Sequence, residues 1–283
     1  MPQPREREIE VDGIRTRLRE AGPAGSPEAV VFVHGNPGSG EDWVGLLARV
    51  GEFGRAVAWD APGFGRAGKP AGFPQTVPGH AGYLGAVLDQ LRIERAHLVL
   101  HDFGGPWGLV WAADHPDRFA SVVLVDTGVL LGYRGHLLAW LWQTPVLGEL
   151  LMASTNRATF RLLLRPGDAR GLPEPFVDRM YRDFDRDTRR AVLRLYRATA
   201  RDTRPLRRLV KALPPLDRPA LVVWGAHDRF LPVRQAQRQR VVFPSAEVRV
   251  FGGSGHWPFL DDPERVEPVI VEFLQRVHGE SAR

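Results

Sequence analysis

The sequence predicts an α/β protein, a mostly parallel sheet flanked by helices and interrupted by one long helical insertion. Two observations carry this. Short apolar runs rich in β-branched residues alternate with longer stretches of helical periodicity along most of the chain. One segment, from about Thr127 to about Leu213, breaks the alternation and shows only amphipathic helical patterning. Apolar runs that lack a polar alternate face are buried on both sides, which is the mark of parallel strands between helices.

Taken in order, Ile9–Val11 and Ile14–Leu18 read as an initial pair of strands. Val30–Val33 is a buried strand that runs into His34-Gly35-Asn36-Pro37, and Ala56–Trp59 is another, followed by the turn-rich Asp60-Ala61-Pro62-Gly63-Phe64-Gly65. His97–Leu100, Val122–Val125, Ala220–Trp224 and Glu247–Phe251 complete the set. Between them Trp43–Val50, Pro78–Leu91, Pro106–His115 and Pro263–Val277 carry helical spacing. The insertion is read as a cap over the sheet, with Pro166-Gly167 and Pro173–Pro175 as loops inside it. The expected organisation is a core of residues 1–126 and 214–283 and a cap of residues 127–213. In such sheets the chemistry lies at the carboxyl ends of the strands.

Composition narrows the function classes. A chain of 283 residues can bury a large core without staples. It has no Cys, which excludes disulfides, thiolate metal sites and thiol nucleophiles. The net charge is +5, but Lys occurs only at Lys69 and Lys211, so the basicity is almost wholly arginine. The densest run, Arg189 to Arg208, places Arg190, Arg194, Arg197 and Arg201 on one solvated helix face. No aromatic residues interleave with them as a nucleic-acid stacking platform needs. The charged amino terminus does not read as a secretory signal, and no apolar run reaches the roughly 18 residues of a membrane helix. The expectation is a cytoplasmic protein with no nucleic-acid or membrane partner.

Three loops at strand ends each deliver a reactive group. Leu100-His101-Asp102-Phe103-Gly104-Gly105 follows one strand and opens a helix, and its glycines permit the close strand–helix crossing of a nucleophile elbow. Gly225-Ala226-His227-Asp228 and Gly253-Ser254-Gly255-His256-Trp257-Pro258 follow the last two strands. The chain order is nucleophile, acid, histidine. The elbow usually carries Ser; here it carries Asp102. A carboxylate ionised at neutral pH attacks a saturated carbon without a base, whereas a serine must first lose a proton. Any one of these residues alone reads as a turn or helix-cap residue.

With these motifs in this order, the sequence resembles the α/β-hydrolase superfamily. Within it the likeness is to the aspartate-nucleophile branch of epoxide hydrolases and haloalkane dehalogenases, and it covers almost the whole chain. The resemblance implies an eight-stranded, mostly parallel sheet with a helical cap. It implies that Asp102 forms an alkyl ester with substrate, that His256 activates the water that hydrolyses it, and that Asp228 orients His256. The backbone N–H groups of Asn36 and Phe103 would form the oxyanion hole. Leu100 departs from the Gly often found at that elbow position, but the dehalogenase branch commonly carries an aliphatic residue there.

The two chemistries differ in what meets the leaving group. A dehalogenase needs side-chain N–H donors, which in the family resemble Asn36 and a Trp directly after the nucleophile; here Phe103 stands in that place and has no donor. An epoxide hydrolase needs cap tyrosines as acids. Tyr196 is the best-placed candidate, with packing of the cap as its alternative reading, and Tyr133 is the second, with His136 as a substitute donor. His34, His101, Trp140 and Trp257 are candidates for lining the pocket. No histidine spacing suggests a metal and no glycine pattern a phosphate, so neither metal nor cofactor is expected. The expected function is opening of a small apolar epoxide by water to a vicinal diol. Haloalkane dehalogenation by the same triad is the alternative, and a non-catalytic ligand-binding member of the fold is the third reading.

Overall fold

The computed structural model describes residues 3–281. Eight strands form one sheet: β1 (Arg5–Val11), β2 (Ile14–Ala21), β3 (Glu28–Val33), β4 (Arg55–Trp59), β5 (Arg95–His101), β6 (Phe119–Val125), β7 (Ala220–Gly225) and β8 (Glu247–Phe251). Their order across the sheet is β1-β2-β4-β3-β5-β6-β7-β8. The β1–β2 and β2–β4 pairs are antiparallel and all others parallel.

Burial follows that order. Every residue of β4, β6 and β7 is buried, as are all but the first of β3 and β5. The edge strand β1 is exposed over Arg5 to Glu8, which pair with Glu20 to Arg17 across the hairpin. These charged residues bury nothing, so apolar patterning placed the start of the strand four residues late, at Ile9.

Helices α1 (Val44–Val50), α2 (Val77–Gln90) and α3 (Gly104–Asp114) connect the first parallel strands. The chain adds β4 on one side of β3 and β5 on the other. Right-handed crossovers therefore send α1 to one face of the sheet and α2 and α3 to the opposite face. The reversal leaves a crevice beyond the carboxyl ends of β3 and β5.

Between β6 and β7 the chain forms α4 (Leu137–Gln143), α5 (Leu147–Ser154), α6 (Arg157–Leu164), α7 (Glu174–Asp183), α8 (Arg186–Arg201) and α9 (Arg204–Ala212), and no strand. The loop expected at Pro173–Pro175 ends at Pro173: α7 begins at Glu174 with Pro175 in its first turn, where the missing N–H costs nothing. α8 packs on α4 and α5, and α9 rests on α3 of the core. The chain ends with α10 (Arg234–Arg238), α11 (Pro258–Asp261) and α12 (Pro263–Ser281), which packs beside α1. No helix among the described residues is long and apolar enough to cross a membrane.

Candidate active site

The parallel register brings strand ends level, pairing His101 with Val125 and Gly225 with Phe251. The residues that follow these ends form the site.

Asp102 sits on the turn between β5 and α3 with φ of 47°, a left-handed conformation that costs a non-glycine residue roughly 1–2 kcal/mol. Tight packing enforces it. A Cβ on Gly104 would lie 2.4 Å from the Val33 carbonyl oxygen, and one on Gly105 would lie 2.0 Å from Thr127 Oγ1. The Thr127 hydroxyl donates to the Asp102 carbonyl at 2.5 Å. The strained turn lifts the carboxylate out of the sheet, and the Asn36 N–H donates to its Oδ1 at 2.7 Å. The Phe103 N–H makes no such bond, so one of the two expected oxyanion donors is engaged.

His256 lies between two carboxylates. Its Nδ1 is 2.7 Å from Asp228 Oδ2 and its Nε2 is 3.5 Å from Asp102 Oδ2. Asp228 is fixed in turn by the Phe230 and Leu231 N–H groups, which donate to Oδ1 at 2.7 and 3.0 Å. Burial opposes charge on His256, but the adjacent Asp228 and Asp102 carboxylates outweigh it and raise the imidazole well above its ordinary range. Burial likewise opposes ionisation of Asp102; the bond and charge of His256, the charge of His101 and the Asn36 N–H overcome it and hold the carboxyl below its usual value. The resting arrangement is an ionised Asp102 with one oxygen bound and the other beside an imidazolium. Such a carboxylate can attack a saturated carbon, and the imidazole can then serve a water.

Asp102 and His256 open into a pocket of about 30 Å³ lined also by Asn36, His136, Trp142, Phe160, Tyr196 and Phe230. A larger cavity of about 620 Å³ shares Asp102, Tyr196 and His136, and its wall includes Val129, Leu130 and Leu206. This is the size and apolar character of a small-molecule site.

The residues named from sequence fall into three groups. Asp102, His256, Asp228, Asn36 and Tyr196 are brought together. Tyr196 is buried, its ring edge-on to Phe103 at 5.0 Å, and its hydroxyl has only His136 Nε2 at 3.5 Å and the Asn36 amide nearby. Burial and the Asp102 charge push its pKa well up, so it stays protonated. Tyr133 borders the larger cavity, but its hydroxyl donates to the Phe230 carbonyl at 2.6 Å. Its proton is already committed, which removes it as an acid in this conformation.

The four pocket-lining candidates do not line the pocket. His34 is buried under the loop that holds Asn36, with Nδ1 donating to the Gly35 carbonyl and Nε2 accepting from the Ala61 N–H. His101 donates from Nε2 to the His256 carbonyl at 2.8 Å and is kept neutral, its pKa lowered to about 4 by burial and by the charge of His256. Trp257 is fully buried edge-on to His256 at 4.9 Å. Trp140 is 59% exposed, turned outward with its N–H on the Arg134 carbonyl. The first three support the loops of the site; the fourth faces solvent.

Trp142 takes the place given to Trp140, two residues away on the opposite side of α4. Its Nε1, like both side-chain atoms of Asn36, is buried without a hydrogen-bond partner. Sequence reading also passed over Asp126, although Val122–Val125 followed by Asp126-Thr127 carries the same signal as the other strand ends. Asp126, Asp228 and His256 place their ligand-type atoms within 4.8 Å of one another. The His256 of this cluster already spans Asp102 and Asp228.

Comparison with known proteins agrees with this architecture. Residues 28–263 match the family model described as alpha/beta hydrolase fold. A 2-hydroxy-6-oxononadienedioate/2-hydroxy-6-oxononatrienedioate hydrolase of Burkholderia vietnamiensis is 27% identical over 94% of this chain and 93% of its own length. A haloalkane dehalogenase of Agrobacterium fabrum is 27% identical over 90% of this chain and 88% of its own. Among solved structures, a haloalkane dehalogenase loop variant from Bradyrhizobium elkanii superposes with a TM-score of 0.84 over all of both chains at 24% identity, a likeness of fold. The matched span runs from β3 past His256, so the strand-end loops that build this site lie inside it, and the chain is a hydrolase that belongs to the α/β-hydrolase fold family.

Proposed function

We propose that the protein is an epoxide hydrolase that opens its substrate through an ester on Asp102. The observation that carries this is Tyr196: a buried, protonated hydroxyl with no short hydrogen bond, in the same pocket as an ionised Asp102 and His256. The residue after the nucleophile, Phe103, offers no side-chain donor to a halide.

Asp102 Oδ2 attacks one epoxide carbon and the carbon–oxygen bond breaks. The alkoxide takes the hydroxyl hydrogen of Tyr196, and the His256 imidazolium restores that proton through solvent. Ester formation also removes the Asp102 charge that faced Nε2, which lowers the imidazole pKa and leaves a neutral base. His256 then takes a proton from water as the water oxygen attacks the ester carbonyl. The oxyanion forms on Oδ1, against the Asn36 N–H. Collapse releases the diol and returns Asp102 to its carboxylate and His256 to its imidazolium. Epoxide and water are consumed and one diol is formed.

A second reading, haloalkane dehalogenation, is favoured by one observation: the Asn36 amide and the Trp142 N–H are buried, unpartnered and in the Asp102 pocket. Two N–H donors converging on one pocket suit a halide.

The test is a panel of epoxides and bromoalkanes scored for diol and for halide, with His256→Gln as the trapping variant. The variant is expected to stall at the ester and show a substrate-sized mass increase on Asp102 with an epoxide. Halide release without diol moves the assignment to the second reading. Absence of any adduct with either class overturns the reading of Asp102 as the nucleophile.

A further inference from the structure

The triad accounts for two of the three carboxyl groups around His256. Asp126 is the third. It follows β6 with φ of 43°, another strained left-handed aspartate, and it is fully buried. Its carboxyl accepts the Gly225 N–H at 3.0 Å through Oδ1 and at 3.3 Å through Oδ2. One of its carboxyl oxygens lies within 4.8 Å of a carboxyl oxygen of Asp228 and of a ring nitrogen of His256. Asp228 has both oxygens engaged already, Oδ1 by two backbone N–H groups and Oδ2 by His256 Nδ1.

Charge counting decides the protonation. Three ionised carboxylates, on Asp102, Asp126 and Asp228, would surround a single imidazolium. Among the described residues no arginine or lysine pairs with any of the three. Two carboxyl groups this close together and out of water hold one proton between them. Asp228 is the one supplied with N–H donors and faced by the cation, so the proton belongs on Asp126.

We infer that Asp126 is a positioning residue held as a neutral carboxylic acid, donating its proton to Asp228 while accepting from Gly225, and so setting the strength with which Asp228 holds the His256 imidazolium. Burial and the charge of Asp228 push the Asp126 carboxyl well above its ordinary range, in keeping with this. A donor on Asp228 withdraws charge from the carboxylate that faces Nδ1. It moderates the imidazolium and keeps His256 able to become the neutral base that a water requires. The inference concerns the resting protein and depends on no particular substrate.

The test uses the full chain without substrate. Infrared spectroscopy in heavy water at neutral pH is expected to show a buried neutral carboxyl band that Asp126→Asn abolishes. Nitrogen-labelled histidine NMR reads His256 directly. Asn keeps the acceptor for Gly225 and a donor for Asp228, so the His256 midpoint is expected to stay in place. Asp126→Leu, which cannot donate, is expected to move it upward, and a purely structural role would move neither. If Asp126 is instead ionised, the Asn variant loses no carboxyl band and removes a negative charge near the imidazole, which lowers the midpoint by about 1–3 units. That result overturns the inference. It leaves the epoxide reading to its own product assay.

Discussion

The sheet core and the helical insertion meet at one pocket but are built differently. In the core, strands buried on both faces end level, and the residues after those ends are fixed by backbone donors and close contacts: Asp102 by Asn36 and the Gly104–Gly105 crossing, Asp228 by Phe230 and Leu231. In the insertion, short helices stack on one another and leave large apolar side chains in water, with Leu137, Val146, Leu150 and Leu162 each at least 60% exposed. The core holds Asp102 and Asp228 by backbone N–H donors. The insertion supplies the wall and the hydroxyl of Tyr196. The same core can therefore serve different leaving groups according to what the insertion presents.

The strongest way to break this contrast is at the bolt between the two regions. Arg179 of α7 is buried and donates to Ser39 Oγ at 2.7 Å and to Asp42 Oδ1 at 2.5 Å, both beside the start of α1 in the core. Arg179→Ala leaves Asp42 buried and unpaired, and a loss of about 3–5 kcal/mol in urea unfolding is expected. Replacing both partners by Leu is expected to recover most of it, because the buried charge goes with its partner. A loss below about 1 kcal/mol for the single variant would mean that the insertion is held by its apolar contacts alone.

Tyr196→Phe sharpens the division of labour. It leaves Asp102, His256 and Asp228 in place and removes one hydroxyl from the insertion. Loss of a donor to a developing oxyanion costs roughly 10²–10³-fold, so epoxide opening is expected to slow by that factor while formation of an Asp102 adduct from a bromoalkane is spared. The Tyr196 pKa is raised by burial, so no loss from its ionisation is expected as pH climbs through the ordinary tyrosine range. Equal slowing of both substrates would assign Tyr196 to packing against Phe103 and Trp142.

The two regions also differ in how far they were legible. A buried parallel strand announces itself as a continuous apolar run, and the loops beyond the strand ends carry the candidate site. Asp102 follows from that rule, one residue past β5; Asp228 stands three residues past β7, and His256 five residues past β8, a strand buried only at its last residue, so both rest on the loop motifs. Asp126 obeys the rule as Asp102 does, directly after β6. Where the local rule gives a chain position but no orientation, the reading failed: His34 and His101 stand next to the right residues but turn toward backbone carbonyls. In the insertion the failure has another cause. Pocket-facing sides there depend on how short helices stack, and Tyr133 could not be seen to spend its hydroxyl on Phe230, 97 residues away.

Trp140 and Trp142 make the last test, and the smallest. They stand two residues apart on α4, about 200° around the helix, so one faces the pocket and the other must face away. Trp142 is 6% exposed and packs edge-on to Tyr196 at 4.9 Å. Trp140 is 59% exposed, held by one hydrogen bond to the carbonyl of Arg134. Replacing an exposed side chain changes stability within about 0.5 kcal/mol, so Trp140→Ser is expected to leave urea unfolding and turnover nearly as they were. Its one structural duty is that bond, which anchors the segment carrying Tyr133 and His136 along the larger cavity. A change confined to KM would show that the outer surface of the insertion helps hold the cavity open. A change in the rate of ester formation would carry the influence of α4 through to Asp102, and the separation between fixed chemistry and adjustable wall would then have to be given up.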